Sequence, residues 1–426
     1  MRRRDQLWAL GRRSRQVLLL AAVTGVLTGA AVAGFEELTG RVIFDRIASA
    51  PLWVQAAGPL AGLLLAAVAL RFVARDPDPS TASEYIENFH ETDRRLPLQP
   101  VLGRLLASVC TLGLGGPLGY EGPSLYMGAA IGSGLQSRLS RFFSREDAKT
   151  LLVAGAAAGV AAIFKAPATG ALFALEVPYQ RDLARRMLLP ALIAAAAGYI
   201  TFVSLTTTAP LLRVNGVAPP FDLADLGGAA ALGVAAGAGA RLYAWLIRAA
   251  KSYADQGRPL LRAAAAGIIL AALAIASHSL FHEPLTLGPG YRAITWAADP
   301  RHSVQLVIVL LLFRAIATVS AVAGSGVGGL FIPLVVEGAL LGRIAGSALG
   351  QGGGPLFPVI GVAAFLGAGY RVPLAAVMFV AETTGRPQFV VPGLIAAVVA
   401  QLVMGNSSVD DHQRAERGGA GEGDGS

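Results

Sequence analysis

"GAAAGVAAIFKAPATGALFALE", residues 155–176, returns later in the chain as "GVAAFLGAGYRVPLAAVMFVAE", residues 361–382. Laid over each other without gaps, the two blocks place Lys165 on Arg371, Pro167 on Pro373 and Glu176 on Glu382. Upstream of each lies a second match: "PSLYMGAAIG" from Pro123 and "PLVVEGALLG" from Pro333 share the spacing P-x4-G-x3-G. Shared Ala/Gly composition alone does not keep Pro, Gly, basic and Glu positions in one order over both blocks. The chain is therefore read as two membrane repeats, residues 16–210 and 222–409, carrying the same module.

Composition says what kind of module this is. The 426 residues are 54% hydrophobic and only 15% charged, against roughly a quarter charged in soluble domains. Apolar runs recur from "VLLLAAVTGVLTGAAVAGF" (17–35) to "FVVPGLIAAVVAQLVMG" (389–405). Many are broken by Gly or Pro before the ~20 residues of a simple span. With 24 prolines and 52 glycines, the chain reads as an all-α polytopic membrane protein, an inverted-repeat bundle of tilted, short and re-entrant helices. The net charge of +8 is scattered among these runs and points to no nucleic acid.

Arg2, Arg3, Arg4, Arg12, Arg13 and Arg15 precede the first apolar run, which makes residues 1–15 a basic cytoplasmic N-terminus. That run shows no small-residue cleavage site, so a signal peptide is not expected. After Gln413, residues 414–426 are polar and Gly-rich and read as a disordered tail. The lone Cys110 offers no disulfide or thiolate cluster. His278 and His282 read as interfacial, and neither metal nor cofactor is expected. An embedded enzyme would want paired acids, His-rich ligands or a Ser/Lys constellation, so no enzyme is expected. An organic-anion carrier would want an Arg clamp for carboxylates, and none lies in the block around Glu121.

"GGPLGYEGPSLYMGAAIG" (115–132) holds a single carboxylate, Glu121, among glycines, prolines and apolar residues. Pro123 and Pro333 suit the first turn of a helix, where the missing N–H had no partner. The glycines before them, in "GYEGPS" and "GVGGLFIP", leave backbone amides bare, and the helix dipole adds about half a positive charge there. Broken helices of this kind meet at the repeat interface of membrane transporters. Such ends bind a small anion without a buried Lys or Arg, weakly enough to release it.

These residues resemble the CLC family of chloride channels and chloride/proton exchangers, from about residue 15 to 413. The family's G-[R/K]-E-G-P motif stands here as Gly119-Tyr120-Glu121-Gly122-Pro123, and its G-x-F-x-P motif as Gly329-Leu330-Phe331-Ile332-Pro333. The resemblance implies that Glu121 gates the pathway as a tethered anion competing with chloride. It implies too that the amides of Leu330 and Phe331 line the central site, within an anion-binding set formed by both motifs. Chloride, and in exchangers protons, are the implied substrates. A homodimer in the lipid bilayer is the implied assembly, and the Ala/Gly/Arg-rich, Lys-poor composition suggests a bacterial inner (plasma) membrane.

Three departures from the family pattern shape the expectation. The G-S-G-I-P signature is replaced by "DPDPSTASEYIENF" (76–89), where Ser80 keeps a hydroxyl for chloride but the glycines are gone. Alternatively, or in addition, Ser80 caps a helix starting near Ala82. The second, cytoplasmic glutamate of many exchangers is Val177, and the tyrosine that reaches chloride from the last helix is replaced by Val409 or Asp410. Both changes favour channel-like passive conduction. Chloride/proton antiport is the alternative, with transport of other anions behind it. The long nucleotide-binding tail of some relatives has no counterpart after Gln413, so no nucleotide regulation is expected.

Overall fold

Helices form along the apolar runs and stop where Gly, Pro or a left-handed residue interrupts them. In the computed structural model, residues 2–91, 96–139, 149–209, 211–212, 222–351 and 353–415 are described, with side chains from Arg15 onward. The first half comprises α1 (Arg2–Glu36), a π-helical continuation (Glu37–Phe44), α2 (Asp45–Ala48), α3 (Leu52–Ala69), α4 (Ala82–His90) and α5 (Leu98–Gly113). It continues with α6 (Glu121–Arg138), α7 (Thr150–Phe164), α8 (Pro167–Glu176) and α9 (Leu188–Leu205). The second half comprises α10 (Leu223–Ala254), α11 (Pro259–Phe281), α12 (Tyr291–Ala297) and α13 (Val304–Ala323). Then come α14 (Phe331–Ala348), α15 (Leu356–Tyr370), α16 (Pro373–Thr384) and α17 (Val390–Met404).

Among the described residues, eight helical segments are long and apolar enough to cross a membrane, while α5, α7, α15 and α16 are shorter apolar helices. The protein is a multi-pass membrane protein, and long and interrupted helices coexist as expected. Among the described residues there is no strand, only isolated bridges joining Gly119 to Gly329 and Tyr179 to Arg414. The junction expected between the halves falls largely on residues outside those described. Arg414, counted in the expected disordered tail, is instead docked: Gln180 N–H donates to its carbonyl and its own N–H donates to Pro178 O. Residues 416–426 lie outside the described residues.

The helix pairing repeats from half to half. In the first, α1 packs on α9, α3 on α5, α6 on α7, and α7 on both α8 and α9. In the second, α10 packs on α17, α11 on α13, α14 on α15, and α15 on both α16 and α17. Across the halves, α3 meets α11 and α8 meets α16. Every residue of α7 is buried, because Ala and Gly on all sides make a helix that is apolar all round and has no outer face. Small residues bring the backbones together. A Cβ on Gly155 would overlap the carbonyl of Gly128, and one on its repeat counterpart Gly361 would overlap that of Gly338.

The two breaks named by the repeat have the same construction. Lys165 (φ 55°) and Arg371 (φ 59°) both end their helices in the left-handed conformation, and Pro167 and Pro373 then open α8 and α16. A non-glycine residue holds that conformation when other contacts fix it. Here the side chains supply them: Lys165 Nζ donates to Ala209 O at 2.9 Å, Arg371 Nε donates to Gln180 O at 3.1 Å, and Arg371 Nη1 bonds Gly405 O.

Candidate anion site

The chain breaks before α6 and α14 lie side by side. Gly119 N–H donates to Gly329 O at 2.9 Å and Gly329 N–H donates to Gly119 O at 2.8 Å, so the two motifs form one antiparallel bridge. This leaves the first amides of α14 unpaired within their own helix. Glu121, the first residue of α6, takes them: its Oε1 accepts from Phe331 N at 2.7 Å and, at a longer 3.4 Å, from Ile332 N. Its Oε2 is buried as well and has no hydrogen-bond partner among the described residues. The residue is 3% exposed.

The glycines are needed for this approach. A Cβ on Gly119 or on Gly329 would overlap the Glu121 carboxylate, and one on Gly329 would stand 2.6 Å from Gly122 N. On Gly122 it would meet Thr81 Oγ1 at 2.6 Å and Gly329 Cα at 2.9 Å. The contact with Thr81 brings the degenerate first motif to the site. Tyr120, Pro123, Leu330 and Pro333 are all buried at the two helix starts, so the structure brings the residues of both motifs together around the bridge.

Ser80 lies on a cavity of ≈ 390 Å³ that also reaches Leu330 and Tyr370. The helix does start at Ala82, but the residue before it is Thr81 and no side chain caps it. Ser80 is therefore not the cap. Its own N–H donates to Asp78 Oδ1 at 2.9 Å, and Asp78 N–H to Asp76 Oδ1 at 3.1 Å. Aspartates thus occupy amides in this segment.

Arg104 explains how two aspartates are tolerated there. It is 1% exposed; Nη2 contacts Asp76 at 2.8 Å and Asp78 at 3.1 Å, and Nη1 contacts Glu84 at 3.3 Å. Nε donates to Asp78 O and Nη1 to Tyr126 Oη, both at 2.9 Å. Its charge is spent locally on the segment before α4. Arg314, at the equivalent place on α13, is as deeply buried and donates to the carbonyls of Thr286, Gly288 and Pro289 before α12.

Sequence reasoning missed an aromatic shell. Phe331 packs against Phe164 (centroids 4.4 Å), Phe379 (5.0 Å) and Phe173 (5.2 Å), and Phe173 in turn meets Tyr370 at 5.5 Å. Phe164 and Tyr370 are repeat counterparts, as are Phe173 and Phe379, which is the signal that pointed to them. Tyr370, at the end of α15, lines the same cavity as Leu330 and Ser80. A tyrosine is therefore present beside the bridge, from α15 and not from the last helix. Val409 and Asp410 sit beside it, Val409 N–H donating to Gly369 O.

Glu176 and Glu382 are structural caps, each serving the other repeat. Glu176 accepts from Leu374 N and Ala375 N at 3.2 and 2.8 Å. Glu382 accepts from Ala168 N at 2.9 Å and from both Thr169 N and Thr169 Oγ1 at 2.7 Å. Among the described residues no cluster of His, Cys, Asp and Glu has the form of a metal site.

A bundle of broken helices whose paired starts present amides to one carboxylate defines a membrane protein of the ion-pathway class. The comparisons name the family. Residues 61–405 match the family described as voltage gated chloride channel, and the chain belongs to it. It is similar to the H(+)/Cl(-) exchange transporter ClcA of Salmonella paratyphi B, 29% identical with 95% of this chain and 89% of that protein covered. It is also similar to a putative chloride channel protein, ClcB-like, of Ralstonia nicotianae, 29% identical with 83% and 82% covered. The fold matches a CLC-type fluoride/proton antiporter (TM-score 0.79, 21% identity, covering 94% of this chain and 98% of that one). It matches a slow cyanobacterial Cl-/H+ antiporter as well (TM-score 0.78, 23% identity, 91% and 94%).

Proposed function

We propose that this protein exchanges chloride for protons across the membrane, with the Glu121 carboxylate serving both fluxes. The observation that carries the reading is the seat of Glu121 Oε1 on the α14 amides of the other repeat. An ionised carboxylate and a chloride ion want the same N–H groups, so one excludes the other. A protonated carboxyl is a poorer ligand for those amides and lets go. Each release thus takes up a proton at the moment an anion can bind, which links the two fluxes.

This revises the expectation of passive conduction, which rested on Val177 and on a missing tyrosine. Tyr370 lines the cavity that also reaches Ser80 and Leu330, and the relative matched over 95% of the chain is named an exchange transporter. Ser80 and Tyr370 are proposed as the inner hydroxyls of the anion site, and the amides of Leu330, Phe331 and Ile332 as its N–H donors. The same proposal includes a homodimer in a bacterial plasma membrane; crosslinking in native membranes that yields only monomer would count against the pairing.

The test is reconstitution in liposomes with a chloride gradient and a pH probe. Uphill proton movement driven by chloride is the expected result. Chloride flux without it would reject exchange, and no flux of chloride against a gluconate control would reject the anion reading altogether.

A further inference from the structure

The ≈ 390 Å³ cavity that reaches Ser80, Leu330 and Tyr370 has a mouth built from three separate parts of the chain. One wall is α4, one is the end of α10, and the third is the segment 408–413 after α17. His412 joins them. Its Nε2 stands 2.8 Å from Glu87 Oε1 on α4, and its Nδ1 stands 3.1 Å from Asp410 Oδ1. Asp410 also accepts from Ser83 Oγ on α4 at 2.6 Å and from the His412 N–H at 3.1 Å. From α10, Lys251 Nζ donates to Val409 O at 3.1 Å and lies 3.8 Å from Asp410 Oδ2, while Arg248 lies 3.5 Å from Asp411.

Two features make this cluster responsive. A neutral imidazole carries one N–H and can donate to only one of Glu87 and Asp410; the imidazolium donates to both. The mouth is also rich in acid, with Asp78, Glu87, Asp255, Asp410 and Asp411 facing Arg248 and Lys251. One charge on His412 therefore changes the field that an arriving anion meets.

We propose that His412 is a pH sensor at this mouth: its protonated ring clamps segment 408–413 to α4 and favours anion access, and its deprotonation loosens the clamp and lowers access. The proposal rests on the anion-pathway reading of the cavity.

The direction of titration fits. The hydrogen bond to Asp410 raises His412 above the ordinary histidine value against the opposing effect of burial, with Glu87 adding to the rise. Burial alone would push Asp410 up, but Lys251 and the hydrogen bonds from His412 and Ser83 hold it well below the usual carboxylate range. Asp410 therefore stays ionised while His412 titrates. A raised histidine pKa means that the clamp is complete below the unfolded value and is lost as pH rises through the folded one.

Removing the pH response of Glu121 isolates this one. Chloride efflux from liposomes is measured at symmetric pH for Glu121→Gln, Glu121→Gln/His412→Gln and Glu121→Gln/His412→Arg. The single variant is expected to lose about threefold in flux between about pH 6 and pH 8.5, the size of one unit charge roughly 10 Å away in a solvated mouth. The Gln double variant is expected to be flat at the low level, and the Arg double variant flat at the high level, since arginine donates twice and keeps its charge. A flat Glu121→Gln profile, or a slope that survives His412→Gln, overturns the proposal. A separate readout guards against failure of the transport reading itself: hydrogen exchange of residues 408–413 in detergent should rise with pH after correction for intrinsic rates. It should do so only while His412 is present, and its absence would refute the clamp even if no anion moves.

Discussion

At the start of α6 the chain reads Gly119-Tyr120-Glu121, and at the equivalent start of α14 it reads Gly329-Leu330-Phe331. The backbones are treated alike: each glycine bonds the other in one bridge. The side chains are not. The first repeat brings a carboxylate and the second brings the amides that receive it. A few turns away the opposite holds, since Glu176 and Glu382 are the same residue at the same place and each caps the other's helix. Where the repeat is kept, the contact is mutual and holds the halves together. Where it is broken, one half places a carboxylate on the amides of the other.

The largest effect follows from the broken position. Glu121→Gln removes the carboxylate that occupies the α14 amides and that we propose carries the proton. We expect chloride flux to persist, its dependence on this carboxyl to vanish, and chloride-driven proton uptake in liposomes to fall to background. Proton coupling that survives the substitution would mean that the difference between the two helix starts is not where exchange occurs.

Two deeply buried arginines at equivalent repeat positions sharpen the comparison next. Arg104 and Arg314 both pin the segment before a short helix, but Arg104 holds carboxylates and Arg314 holds carbonyls. Removing Arg104 strands Glu84, which is buried, and breaking such a buried pair typically costs ~3–5 kcal/mol; Asp76 and Asp78 are partly exposed and add less. Arg104→Met should therefore destabilise, and so should Arg314→Met, which leaves three carbonyls unpaired and removes the charge that faces the buried Glu337. Chloride affinity should fall only in Arg104→Met, because its segment carries Ser80. An unchanged SDS-induced unfolding midpoint in either variant would contradict the assignment.

Gly329→Ala tests the contact between the starts directly. The new methyl group would meet the carboxylate and Gly122 N, and overpacking of this kind costs about 1–3 kcal/mol. The carboxylate is the more mobile neighbour, so the expected result is a displaced Glu121 and a weaker pH dependence of flux. An unchanged pH profile with unchanged stability would show that the approach is looser than the bond to Phe331 implies.

Much of this was legible in the residues before any coordinates. Pro123, Pro333, Pro167 and Pro373 marked four helix starts, and Pro with Gly is a strong signal because it acts on the local backbone. The match of Lys165 with Arg371 located two left-handed turns, though nothing in their identity announced a positive φ. What stayed hidden depends on contacts distant in sequence. Ser80 looked like a cap because a hydroxyl precedes a helix, but Thr81 stands at the N-cap position, one residue closer to the helix. Nothing in the sequence around Arg104 announces the three carboxylates that come together on it. Tyr370 was passed over because a tyrosine was sought near the last helix, whereas this one arrives from α15. Residue 414 was counted with a polar tail, yet its backbone pairs with the stretch Pro178–Gln180.

The smallest effects belong to the mutual pair, and they decide whether the comparison holds. Glu382 accepts three short hydrogen bonds and Glu176 two, one of them at 3.2 Å. Hydrogen bonds to a charged group contribute roughly 1.5–3 kcal/mol and neutral ones about 1, and a negative charge at a helix N-terminus adds a few tenths to 1 kcal/mol. Glutamine keeps one acceptor oxygen in each case but places an NH2 against an amide donor. Glu382→Gln should thus lower stability by about 2 kcal/mol and Glu176→Gln by about 1. Neither should shift the pH dependence of chloride flux, because neither carboxylate has to leave its amides during transport. If Glu176→Gln instead abolished proton coupling while stability held, the residue beside Val177 would be a proton carrier. Keeping the same residue in both repeats would then no longer separate scaffold from moving part.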